Sequence, residues 1–158
     1  MRAYVNRGKR MKNDKTDNHE QLFWEEIDRL FPDMIKAIAS LSKKSYLSIT
    51  NLRTGITWWS ERAMDYFGMK ENYTIRGMEK ANRKIHPDDV ATFKRGFKER
   101  VDGKNLDTAW EYRIQDGDSY NRFNAMARVL YDEQKQPFII IIRYDNYGIS
   151  DEVDSVTG

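Results

Sequence analysis

The first periodic stretch of the chain begins at His19. Phe23, Ile27, Leu30, Met34, Ile38 and Leu41 recur at spacings of three and four, which places them on one face of a helix. Pro32 falls inside this run. Proline suits a first helical turn but removes a hydrogen bond from a helix interior, so the pattern predicts two helical pieces, over 19–31 and 33–43. From Ser45 the period changes to two. Tyr46 to Thr50 reads as a strand, Asn51 to Gly55 as a turn and Ile56 to Trp59 as the returning strand. Ser60 is a good N-cap for a short helix carrying Ala63, Met64, Tyr66 and Phe67 and stopping at Gly68. Residues 69–84 are mixed and predict only short helical turns. Pro87, Asp88 and Asp89 open a longer helix, because proline fits its first position and carboxylates fit its positive end. Val90, Phe93, Phe97 and Val101 form its apolar stripe, and Gly103 stops it. Three strands follow: Thr108–Gln115, then Ser119–Tyr131 after the Asp116-Gly117 turn, then Pro137–Asp145 through a run of four isoleucines.

This order predicts an α+β unit: a five-stranded antiparallel sheet with helices on one face, preceded by N-terminal helices. Three local motifs sharpen the expectation. Ile85-His86-Pro87-Asp88-Asp89 precedes the long helix. Glu111-Tyr112-Arg113-Ile114, Asp116-Gly117 and Tyr120-Asn121-Arg122-Phe123 form a hairpin signature. The last strand runs from Pro137 to Arg143-Tyr144-Asp145. Together, in this order, they resemble the PAS family, in the subfamily with an HPDD segment. Ile141 stands where that subfamily often has glycine, and Asn146-Tyr147 replace its usual pair after the aspartate. At the chain end, Asp154-Ser155-Val156-Thr157-Gly158 looks like the opening of a GGDEF, or diguanylate cyclase, domain.

The resemblance implies a division into a basic disordered tail (1–18), an N-terminal helical segment (19–44), a PAS sensory domain (45–146) and a linker (147–158) to a C-terminal GGDEF domain. It also implies a regulatory, non-enzymatic role. The module would sense a small molecule, dimerise, or do both, and so control the output domain. The alternative is a docking module without a ligand, ahead of a histidine kinase or another regulator. Signal coupling is expected at Asp145 and Asn146 and across to Asp154.

In this family a ligand lies between the sheet and its helices. The expected wall is Trp58 or Trp59, Phe67, Met78, Phe93 and Phe97, with Trp110, Tyr112, Phe123, Ala125, Ala127, Ile140 and Ile142 from the strands. Ala125 and Ala127 leave room there that larger side chains would fill. The competing expectation is that all of these simply form the core. Phe23, Trp24, Ile27 and Leu30 offer an apolar face to a second copy in a homodimer, to the chain's own sheet, or to both at once.

Composition narrows the chemistry. At 39 % apolar and 33 % charged residues, the 158-residue chain can build one real core. It has no cysteine, so disulfides, thiolate metal sites and cysteinyl-flavin chemistry are excluded. Of its two histidines, His86 precedes the long helix and His19 lies far upstream, which argues against haem ligation from that helix. His86 is expected to make a structural hydrogen bond, and Asp88 and Asp89 to cap the helix. No zinc-protease, nucleophile-elbow or phosphate-loop motif is present. No apolar run reaches membrane-spanning length and no signal peptide is visible, so a cytoplasmic setting is expected. The net charge of +2 is uneven: Arg2, Arg7, Lys9, Arg10, Lys12 and Lys15 face only Asp14, which leaves −3 on the rest. The basic stretch is expected to be a solvated tail rather than a nucleic-acid contact.

Overall fold

The computed structural model describes residues 15–30 and 45–149. The helical piece expected over 33–43, and the terminal run containing Asp154, lie outside the described residues.

Helix α1 (Lys15–Leu30) is followed by strands β1 (Tyr46–Asn51) and β2 (Ile56–Trp59). Then come helix α2 (Glu61–Phe67), strand β3 (Tyr73–Ile75) and helix α3 (Gly77–Asn82). A 3-10 turn (Pro87–Asp89) leads into α4 (Val90–Val101). Strands β4 (Trp110–Asp116), β5 (Ser119–Tyr131) and β6 (Pro137–Ile149) complete the chain. The strands form one antiparallel sheet in the order β3-β2-β1-β6-β5-β4.

The sheet therefore has six strands where five were expected. The addition is β3, a three-residue edge strand in the stretch read as helical turns. Its sequence carries no strand-length apolar run, so pairing holds it in place. The Trp59 amide donates to the Asn72 carbonyl at 2.7 Å, and Asn72 Nδ2 donates back to the Trp59 carbonyl at 3.0 Å. Two boundaries also move. Helix α1 begins at Lys15, inside the stretch expected as tail, and β6 runs on to Ile149.

The predicted caps form, with one exchange of roles. Ser60 Oγ accepts from the Ala63 amide, and Gly68 closes α2 with a left-handed φ of 69°. At the start of α4 the imidazole of His86 does the capping, its Nδ1 accepting from the Asp88 amide at 3.1 Å. The carboxylate of Asp89 turns instead to Arg113 on β4. It accepts from the Arg113 amide and Nε through Oδ2 (2.9 and 2.8 Å) and from Nη2 through Oδ1 (2.9 Å). This fork ties the first turn of α4 to the sheet.

The inner sheet face is covered throughout and the outer face in part. The inner face carries rows of cross-strand neighbours: Trp110–Ala125–Tyr144–Tyr46, then Ala127–Ile142–Ser48–Trp59, then Val129–Ile140–Thr50–Thr57. Helices α2 to α4 pack here through Ala63, Phe67, Ala81 and Phe93. On the outer face, Phe23 and Ile27 of α1 pack against Ile49, Ile56 and Ile139. Burial on both faces explains why β6 reads as an unbroken apolar run rather than an alternation.

Candidate functional site

The centre of the inner core holds a cavity of only about 10 Å³, lined by Phe67, Met78, Ala81, Asn82, Ile85, Phe93, Tyr112, Ile114 and Tyr144. That is room for about one water molecule. Of the expected wall, Phe67, Met78, Phe93 and Tyr112 line it. Trp110, Phe123, Ala125, Ala127, Ile140 and Ile142 belong to the same buried cluster, and Phe97 packs at its margin.

Trp58 is a correction. It lies on the outer face with Tyr73 and the α1 contacts, while its neighbour Trp59 is fully buried in the inner core. In a strand successive side chains point to opposite faces, and the β1–β2 register decides which tryptophan enters. Ala81, Asn82, Ile85, Ile114 and Tyr144 were not anticipated. Asn82 sits on α3, a helix too short to show a period, and a polar residue gives no pattern signal for a core position.

The space above the small residues is taken. Ala125 lies between Trp110 on β4 and Tyr144 on β6. Trp110 in turn fits against Gly96 of α4, where a Cβ would come within 2.8 Å of the indole. The guanidinium of Arg100 lies 4.0 Å from the Trp110 ring centroid and bonds the carbonyls of Gly96 and Thr108. Ala125 thus accommodates two large aromatic neighbours, while Ala127 lies beside Ile142.

The polar groups around the cavity are unevenly satisfied. The hydroxyls of Tyr144 and Ser48 share a hydrogen bond of 3.1 Å, and the Tyr144 hydroxyl lies 4.0 Å from Met78 Sδ. Tyr112 OH and Asn82 Oδ1 are buried with no hydrogen-bond partner among the described residues. Burial pushes the Tyr112 phenol well above its ordinary range. It raises Tyr144 too, partly offset by the bond to Ser48. Both therefore stay protonated at neutral pH and can donate. The residues lining the cavity thus carry one buried donor and one buried acceptor in an aromatic and aliphatic wall.

His86 does not line the cavity; its ring packs on Tyr120 at 4.6 Å. Among the described residues no three acidic or histidine side chains converge as a metal site. No described helix is long and apolar enough to cross a membrane.

The remaining expected residues are placed as follows. Phe23, Trp24 and Ile27 are buried in the chain itself, with Phe23 meeting Tyr73 edge-on at 5.4 Å. Packing on the chain's own sheet, one of the two arrangements expected for this face, is thus present for Phe23 and Ile27; the side chain of Leu30 lies outside the description. Asp145 pairs with Arg143 at 3.2 Å, and Asn146 Oδ1 accepts from the Gly148 amide at 2.8 Å. Both line an open polar groove with Ser45, Tyr46 and Arg62, where β1 begins and β6 leaves the core. Asp145 and Asn146 thus sit beside the N-terminal entry to the sheet.

A family profile describing the PAS fold matches residues 56–142, more than half of the chain. Among solved structures, a sensory box histidine kinase/response regulator from Burkholderia thailandensis E264 is similar, with TM-score 0.57 and 16 % identity over 79 % of this chain and 91 % of that one. The N-terminal domain of a diguanylate cyclase with PAS/PAC sensor from Marinobacter aquaeolei gives 0.53 and 14 %, over 66 % and 96 %. A PAS domain from Colwellia psychrerythraea gives 0.51 and 16 %, over 73 % and 98 %. No curated protein matches. The profile match, the antiparallel sheet with helices across one face and the closed inner core together place this chain in the PAS family.

Proposed function

We propose that this PAS module is the input of a cytoplasmic signalling protein, sensing a small molecule in its inner core and controlling a C-terminal output domain of the GGDEF type. The observation that carries the sensing part is that two residues lining one cavity, Tyr112 and Asn82, each hold a buried polar atom, OH and Oδ1, with no hydrogen-bond partner among the described residues. Leaving either unsatisfied costs on the order of 1–3 kcal/mol, so a molecule that bonds both would be favoured there. A cavity of about 10 Å³ must expand to admit it. Expansion would displace Met78 and α3, and binding would favour the expanded state only to the extent that affinity differs between the two. The GGDEF-like run at Asp154 and the fold shared with a diguanylate cyclase's N-terminal domain support the choice of output.

The test is native mass spectrometry of protein purified without denaturation, followed by a thermal-shift screen of metabolites. A bound mass, or a stabilising compound whose effect disappears in Asn82→Ala, supports the reading. A clean apo mass with no stabilising compound sinks it. A second reading rests on the smallness of the cavity: a filled core acting only in docking or homodimerisation. Under that reading, compounds leave the melting temperature unchanged while mass rises with protein concentration in sedimentation.

A further inference from the structure

We propose that the ligand of the inner core is a small monocarboxylate, balanced by the buried guanidinium of Arg100 and held by the unmet donors beside it on β4. This rests on the sensing reading above and names the ligand's chemical class.

On the inner side of the sheet, the buried side-chain atoms without a hydrogen-bond partner among the described residues are mostly donors. They are Nε1 of Trp59, Nε of Arg100, Nε1 of Trp110 and the Tyr112 hydroxyl, against the acceptor Oδ1 of Asn82. Three of these donors belong to one cluster. Trp110 and Tyr112 are alternate residues of β4 that face the core, their ring centroids 5.8 Å apart. Arg100, from the last turn of α4, lies over the Trp110 ring. Arg100, Trp110 and Tyr112 are only 2 %, 7 % and 3 % exposed, so bulk water does not supply the missing acceptors.

Charge narrows the class. The other guanidinium nitrogens of Arg100 donate to the carbonyls of Gly96 and Thr108, which satisfy hydrogen bonds without neutralising the charge. The carboxylate of Glu99 stands 3.8 Å from Nη1, beyond hydrogen-bond reach, and its side chain is 36 % exposed, where water screens it. Burial lowers the Arg100 pKa, but an arginine remains charged at neutral pH. Burial raises the Tyr112 pKa, and Arg100 pulls against that rise, so the field of the guanidinium reaches this hydroxyl. An anion entering beside Tyr112 is therefore attracted and a cation repelled, more strongly than in water. One guanidinium balances one carboxylate, whereas a phosphate would bring a second charge. The apolar remainder follows from the cavity, where Tyr112 meets Phe67, Met78 and Ile114. A body of a few carbons enters when Met78, an unbranched and adaptable side chain, swings aside.

The test uses the full chain labelled with ¹³C at the methionine methyls. The probes are butanoate and benzoate, each beside its own amide and amine, at neutral pH. At least one acid should shift the Met78 methyl and bind about tenfold or more tightly than its amide, while the amines leave the spectrum unchanged. Tyr112→Phe keeps the ring and should weaken that acid about tenfold. Arg100→Gln should abolish the preference for acid over amide, and Lys94→Gln on the exposed face of α4 should change neither. Tyr112→Phe keeps the test decisive where Arg100→Gln does not fold. Amides or amines that reach Met78 as tightly as the acids overturn the proposed class and leave the sensing reading standing. Acid binding that spares the Met78 methyl, or that ignores Tyr112→Phe, overturns it as well. So does the absence of any response to either acid at millimolar concentration; the native mass and the metabolite screen then decide the sensing reading separately.

Discussion

Replacing Tyr112 with phenylalanine removes one oxygen and nothing else from the centre of the core. Tyr112 is 3 % exposed, its ring meets Phe93 edge-on at 4.9 Å, and its hydroxyl has no hydrogen-bond partner among the described residues. The phenylalanine ring keeps the aromatic contact. Relieving an unpaired buried hydroxyl is worth about 1–3 kcal/mol. Against this stands the void left by one oxygen, on the order of 10–15 Å³, which costs about 0.3 kcal/mol. The net expectation for protein refolded from denaturant, free of carried-over small molecules, is a gain of about 1 kcal/mol. That corresponds to a rise in Tm of roughly 4 °C or somewhat more. Urea unfolding followed by tryptophan fluorescence gives the free energy, and calorimetry gives the Tm. A loss of about 1 kcal/mol or more in Tyr112→Phe would refute the reasoning, because it would mean that the hydroxyl is bonded in solution.

Three further substitutions probe the supports of the core. Asp89→Asn removes a charge-assisted fork and turns an amide donor toward Arg113, costing about 1–2 kcal/mol at neutral pH at this partly exposed site. The Arg113 bonds hold the Asp89 pKa below its ordinary value, so this stabilisation is fully present above the unfolded-state value and is lost as pH falls through the folded one. The gap between wild type and Asp89→Asn in urea unfolding should therefore close in acid; a pH-independent gap would contradict the role of the charge. Gly96→Ala drives a Cβ to 2.8 Å from the Trp110 ring and should cost about 1–3 kcal/mol, partly recovered by adding Trp110→Phe, with thermal unfolding as the readout. Phe23→Ala empties a fully buried site between α1 and the outer face and should cost up to about 3 kcal/mol, limited by undocking of the helix. Hydrogen exchange should then show lost protection in α1 with β5 and β6 unchanged, and global loss across all strands would contradict separable docking.

Much of this molecule was determined by the sequence itself, wherever the information is local. The apolar stripe Val90–Phe93–Phe97–Val101 and the caps at Ser60 and Gly68 place helices because period and backbone preference act within a few residues. The alternation of β5 and the Asp116-Gly117 turn fix a hairpin in the same way. Tertiary structure decided what depends on partners far along the chain. The β1–β2 register sent Trp59 inward and Trp58 outward, though both are tryptophans in one strand. Pairing with β2 made a strand of Tyr73–Ile75, which is too short for an alternating pattern to show. Arg113, 24 residues away, took the Asp89 carboxylate and left the cap to His86. Ala125, which suggests room for a pocket, became the seat between Trp110 and Tyr144, because core volume is a sum over neighbouring strands. Tyr112 and Asn82, whose polar atoms have no hydrogen-bond partner among the described residues, come to one cavity only once α3 is folded against the sheet. Spacing along a chain sets which faces are apolar; only packing sets how much space, and which unmet hydrogen bonds, remain between them.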